Sequence, residues 1–265
     1  MVKLTSNSKT SVNADWAPRY RLTAAEQHVD FPAHNNHIVL RRATVEKGAT
    51  PAAKRLVVAV ADFGLPTSGL VTVLAERLED SLKATARFGF DSARREIRSL
   101  RAGNPRASYQ IPDVGAFSEQ ARSGIEGVFV LIRRRAHETA QKVADATVAA
   151  AHQERDEVLK AAVATAAAIR VLHNHVLELV GETLNMGRTA GALSLKQPPT
   201  FAMRSEQLDK ATCDGCLYEH GQIYQIDTDE YYRHLPPSYC YGLGRCRGLM
   251  VYGDATSQLE LPEAA

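Results

Sequence analysis

No glycine and no proline occurs between Gly127 and Gly181, and this gap constrains the chain more than any other feature. Both residue types weaken helices. Across the gap and just beyond it, Val143, Val148, Ala151, Leu159, Val163, Ala166, Ile169, Leu172, Val176, Leu179 and Leu184 recur at close to the 3.6-residue helical period. A continuous helix of ~50 residues would be ~75–80 Å long. That exceeds the usual globular helix, so the pattern predicts either a rod or a hairpin of two helices. The polar run His152–Glu157 is the favoured bend, and Gly187, after Asn185 and Met186, reads as a left-handed helix stop.

The front of the chain is read in two parts. Residues 1–36 are polar, contain Pro18 and Pro32, and suggest a flexible N-terminal arm. Residues 37–115 form a basic helical region, in which Leu70, Val73, Leu74, Leu78 and Leu82 share one helical face. Arg94, Arg95, Arg98 and Arg101 make a basic stripe, which is either a solvated face or a contact for nucleic acid. Gly103, Pro105, Pro112 and Gly115 mark a loop over 102–115. The net charge of +2 hides a gradient: residues 1–110 carry 17 Lys and Arg against 10 Asp and Glu, residues 111–200 balance, and residues 201–265 carry 5 against 10. A basic front and an acidic back predict different partners at the two ends.

Beyond the long helical region, 116–195, the chain changes character. Pro198-Pro199 breaks the helix, while Gly221–Ile226 and Leu249–Tyr252 read as short strands of a small, separate unit over 196–265. The fold class is therefore mainly α, with long helices or a helical hairpin and a small cysteine-containing α+β C-terminal domain. The acid- and Tyr-rich run Asp227–Arg233 reads as a solvated loop. No apolar run approaches the ~20 residues needed to span a bilayer. The first residues lack a signal-peptide core, so folding in a cytoplasm is expected.

All the cysteine lies in this last unit: Cys213, Cys216, Cys240 and Cys246. Thiolates two residues apart on a tight turn can face one ion, and two such turns together make a tetrahedral sulfur site. In a cytoplasm this favours a structural zinc over disulfides or free thiols. His220 is close enough in sequence to replace one thiolate. Four thiolates leave no open position for catalysis, so no enzymatic activity and no catalytic residues are expected. His173-Asn174-His175 spells the name of a nuclease class, but neighbours on a helix point about 100° apart and cannot converge on one ion.

Ser205, Asp209, Thr212, Cys213, Cys216, Gly221, Pro236, Pro237, Cys240, Cys246, Arg247 and Gly248 fall in a pattern that resembles the C-terminal signature of the Mu F-like minor head proteins of tailed bacteriophages, also called head morphogenesis or capsid maturation proteins. Leu184–Thr189 is similar to the Asn-x-Gly-Arg that closes that family's long helical region. The likeness covers roughly residues 136–253. The chain departs from the commonest pattern in lacking His-Pro before the last cysteines and in ending Cys-Arg-Gly.

The resemblance implies a low-copy virion component, associated with the portal protein and other head proteins and packaged inside the capsid. It would pass through the host cytoplasm during assembly, and act in head assembly and in DNA packaging or ejection. The basic front would meet packaged double-stranded DNA through its phosphates, without sequence preference. No membrane and no small-molecule substrate are expected. Two rivals are a zinc-ribbon DNA-binding regulator, which calls for a basic ribbon where this one carries −5, and a metal-dependent nuclease, which calls for clustered His and acids.

Overall fold

A computed structural model describes residues 22–63, 68–103, 119–208, 212–241 and 247–260. Four long helices dominate it: α1 (Phe31–Phe63), α2 (Ser68–Arg101), α3 (Glu119–Gln153) and α4 (Glu157–Leu193). After them come β1 (Phe201–Ser205), α5 (Asp214–Glu219), β2 (Ile223–Gln225), α6 (Asp229–Arg233) and β3 (Leu249–Gly253). The strands form one antiparallel sheet in the order β2-β1-β3, with Met203 opposite Ile223 on one side and Val251 on the other. No helix among the described residues is long and apolar enough to cross a membrane.

The long Gly- and Pro-free stretch is a hairpin. α3 ends at Gln153, and the amides of Leu159 and Lys160 open α4 by donating to the Asp156 carbonyl. Small side chains line the pairing: Ala136, Ala140 and Ala144 on α3 and Ala164 and Ala168 on α4 are all fully buried. That choice of face leaves Leu159 and Val163 exposed, although the periodicity had grouped them with the core. On α2, Leu74, Leu78, Leu82, Ala86, Phe90, Ala93 and Ile97 descend one side in near-regular steps and are buried against the other helices.

Gly187 is not a helix stop. α4 continues to Leu193, and a Cβ at Gly187 or Gly191 would collide with the backbone of Ala86 or Phe90 on α2. A Cβ at Gly89 of α2 would in turn strike the Leu184 carbonyl. Glycine is needed here for backbone contact between two helices, not for a left-handed turn.

The expectation of a flexible arm through residue 36 fails from residue 22 onward. Residues 1–21 lie outside the described residues, but Thr23, Ala25, Glu26, His28 and Val29 are buried. The Thr23 amide donates to Glu26 Oε2 at 2.9 Å and the Glu26 amide to Thr23 Oγ1 at 3.1 Å, a reciprocal cap. Ser205 Oγ then donates to Glu26, and the Ala25 amide to the Gln258 carbonyl, pinning this segment to the C-terminal unit. Nor is that unit separate. Met203, Leu249 and Val251 share a core with all four helices, because one face of so small a sheet must be covered. Most of the 102–115 loop lies outside the described residues.

One buried cation ties these parts together. Arg188 on α4 is fully buried and donates to both carboxylate oxygens of Glu96 on α2, at 2.6 and 3.2 Å. It also donates to the Met250 carbonyl on β3, at 2.9 and 3.1 Å, and to His34 Nε2 on α1 at 2.7 Å. One turn earlier, Asn185 donates to the Gly248 carbonyl and accepts from the Met250 amide, each at 3.0 Å. The Asn-x-Gly-Arg run therefore has a physical meaning: Asn185 and Arg188 grip β3 while Gly187 admits α2. Removing one partner of a buried pair strands the other charge, at a cost of about 3–5 kcal/mol. We expect Arg188→Met to lose stability on that scale in urea denaturation. Arg101→Ala, which breaks the outer pair with Asp254, is expected to lose less than about 1 kcal/mol.

His34 makes the same cluster sensitive to acid. Its Nδ1–H donates to the Asp30 carbonyl at 2.7 Å, which leaves Nε2 as the acceptor facing Arg188. Burial first, and the Arg188 charge second, push its pKa down from 6.5 to about 3. The folded state thus binds this proton more weakly than the unfolded state. The stabilisation is complete above pH ~6.5 and drains away as pH falls toward ~3. Thermal melts across that window are expected to show a falling midpoint, with a shallower slope in His34→Gln.

Candidate metal centre

β1 is the centre of the sheet, and the short helix α5 is the next element along the chain. Cys213 is the extended residue that opens α5, and its carbonyl accepts from the Leu217 amide. Cys216 follows in the first turn and is buried at 4% exposure, whereas Cys213 is part-exposed. Cys240 arrives from the far side, on a turn in which its amide donates to the Pro237 carbonyl. The Sγ atoms of Cys213, Cys216 and Cys240 all lie within 4.8 Å of one another, and no disulfide joins them.

This convergence depends on Gly215. A Cβ there would collide with the Tyr239 carbonyl, so only glycine lets the loop carrying Cys240 lie against α5. Tyr239 itself holds φ +58°, an uncommon backbone state for a residue with a side chain. Behind the loop, Arg204 of β1 is fully buried. It donates to Glu206 at 2.6 Å and to the His234 carbonyl and Ser238 Oγ at 3.2 Å each. Glu219 of α5 lies 3.7 Å from the same guanidinium and accepts from the Tyr224 hydroxyl at 2.8 Å. Burial and that carboxylate push the Tyr224 hydroxyl up, keeping it a neutral donor. His234 stacks between Tyr224 and Tyr239. Arg204 thus holds both the helix that carries Cys216 and the loop that carries Cys240.

Three such sulfurs could bind a metal ion. In a tetrahedral thiolate site with zinc–sulfur bonds of ~2.3 Å, neighbouring sulfurs are ~3.8 Å apart. The cluster is therefore within about 1 Å of closing on an ion. Among the described residues it is also the one group of three or more His, Cys, Asp or Glu ligand atoms in mutual reach. Cys246 lies outside the described residues. His220 does not belong to the group: its Nδ1 accepts from the Glu206 amide at 3.0 Å, and burial pushes its pKa down.

The other singled-out residues lie elsewhere. Arg94 donates to Ser194 at 3.2 Å and covers Phe90, Arg101 pairs with Asp254 at 2.6 Å, Arg95 turns toward His34 and Glu96, and Arg98 is exposed. Half of the basic stripe is therefore spent on contacts within the chain. His173 and His175 engage different carboxylates, Glu46 at 2.9 Å and Glu178 at 3.7 Å, as their helical offset requires. The run Asp227–Arg233 is not a solvated loop throughout, since α6 begins at Asp229 and buries Tyr231 completely.

Sequence reasoning missed the Arg204–Glu206–Glu219 support. Its members are single charged residues scattered over three segments, and nothing in their spacing marks them as buried. Gly215 was visible inside the CxxC but not its purpose. No protein-family model, curated protein or solved structure matches the chain.

Gly215→Ala isolates the geometric requirement. Alanine favours helix, so the substitution harms the site only through the Tyr239 collision. With added zinc as the probe ion, we expect at least a tenfold loss of affinity in chelator competition. Gly48→Ala, which meets open space, is expected to leave the affinity unchanged.

Proposed function

We propose that this is a non-catalytic structural protein of a tailed-phage head, whose C-terminal unit is clamped by one structural zinc. The observation that carries the metal part is the convergence of Cys213, Cys216 and Cys240, with Cys216 buried. Cys246 is assigned as the fourth ligand, closing the coordination sphere. When bound, zinc supplies no reactive group here; it joins α5 to the loop at 236–241. Support for the head-protein reading is the resemblance to the Mu F-like minor head proteins, whose Asn-x-Gly-Arg corresponds here to Asn185 and Arg188 of α4, which bond to the Gly248 and Met250 carbonyls at β3.

In this reading the helical hairpin packs along a portal or another head protein. Contact with packaged DNA rests on the excess of basic residues in 1–110, including the exposed Arg98. The acidic balance of 201–265 disfavours a DNA-reading ribbon as the alternative.

Two measurements test the proposal. Elemental analysis is expected to find one zinc per chain in wild type and none in Cys216→Ser. The variant should melt earlier while keeping its helical circular dichroism; full zinc and an unchanged melt in Cys216→Ser would refute the ligand assignment. Peptide mass spectrometry of purified phage heads encoded alongside this gene should detect the chain, and its absence from heads would refute the virion role.

A further inference from the structure

A wide groove opens beside the sulfurs, with Cys240 in one wall. It has a volume of about 1030 Å³ and runs between α3, α4 and the segment 232–241. Its floor is helical on both sides. On α3, Gly124, Gly127, Val128 and Leu131 step along one stripe. On α4, Glu182, Met186, Ala190 and Leu193 do the same. Together with Arg135 and Glu178 at their ends, the stripes extend ~16 and ~22 Å at 1.5 Å per residue. The third wall is aromatic: Tyr232, Tyr239 and Tyr241 line it and remain 46%, 48% and 73% exposed, and Leu131 is 47% exposed.

A trough between two helices, with small residues on its floor, has the shape into which a third helix packs. Exposed tyrosines around an apolar floor are the composition of a protein interface rather than of solvated surface. Charge narrows the occupant further. Among the described residues that line it, Glu178 and Glu182 stand against the one cation Arg135, and that guanidinium is already shared between Glu182 at 2.9 Å and Glu138 at 3.3 Å. The described lining therefore carries a net negative charge, and the flank of a bound helix is favoured to be basic.

We propose that this groove docks an amphipathic helix of about three to four turns from another protein, apolar on the face that enters and basic on the flank that meets Glu178. The surface is defined without the metal and without the head-protein reading. Because Cys240 lies in the same wall, the full chain is used with its metal as purified.

The test uses two fluorescein-labelled amphipathic helical peptides of about 15 residues. Both carry leucines at three- and four-residue steps; one is flanked by lysines and the other by glutamates at the same positions. In fluorescence anisotropy the lysine peptide is expected to bind at least tenfold more tightly. Glu178→Lys should invert the preference. Gly127→Leu fills the groove from a position that is exposed and has open space around its Cβ, so its melting temperature should not fall. It should weaken the lysine peptide at least tenfold. The proposal is overturned if neither peptide binds, if the two bind equally, or if Gly127→Leu leaves binding intact. It is also overturned if sedimentation reveals a dimer that Gly127→Leu dissolves, since the occupant would then be a second copy of the chain.

Discussion

The architecture rests on a guanidinium withdrawn from water. Arg188 would be strongly destabilising in the core if any of its donors went unmet. Its partners come from α1, α2 and β3, so those elements must arrive together for the charge to be tolerated. Burial pushes the Glu96 carboxyl up and Arg188 opposes it, a balance set by the salt-bridge distance of 2.6 Å. A hydrophobic residue at 188 could fill the space, but it could not select one register of β3 against the bundle. The ion pair supplies orientation, and the Ala-rich and Leu-rich faces supply the bulk of the burial.

From that clamp the cysteines follow mechanically. β3 is fixed by Asn185 and Arg188, β1 pairs with β3, and Arg204 of β1 reaches the two segments that carry Cys216 and Cys240. Three strands of three to five residues with two short helices cannot hold such geometry alone. The unit borrows one face of its core from the helices, and a bound ion would bring the remaining loop under the same constraint. Two buried arginines on different elements thus divide the work: one joins the sheet to the bundle, and the other joins the loop of Cys240 to the sheet.

The legible parts of the chain were those where one local rule dominates. The Gly- and Pro-free stretch announced helix, and the charged run at its middle marked the favoured bend while a straight rod stayed open, because neither signal depends on distant neighbours. The short strands at Ile223 and Leu249 showed through their alternation and flanking glycines. Illegible were features whose cause lies across the fold. Gly187 has the same sequence appearance whether it ends a helix or admits another backbone. Thr23 and Glu26 look like part of a polar arm until Ser205 and Gln258 are seen to meet them. Arg94 and Arg101 look solvent-facing until Ser194 and Asp254 are placed beside them.

By itself, then, the sequence determined that the chain is mostly helix, that its one long helical stretch is either a rod or a hairpin with the favoured bend at 152–157, and that cysteine is confined to a small C-terminal unit. Periodicity and backbone propensity are local, and a single strand of text carries them. Tertiary structure alone decided which thiols meet, which arginines are buried, and that a helix-sized groove opens beside them. Those outcomes turn on distances between residues far apart along the chain, where a collision or an unmet charge, rather than any local preference, selects the arrangement.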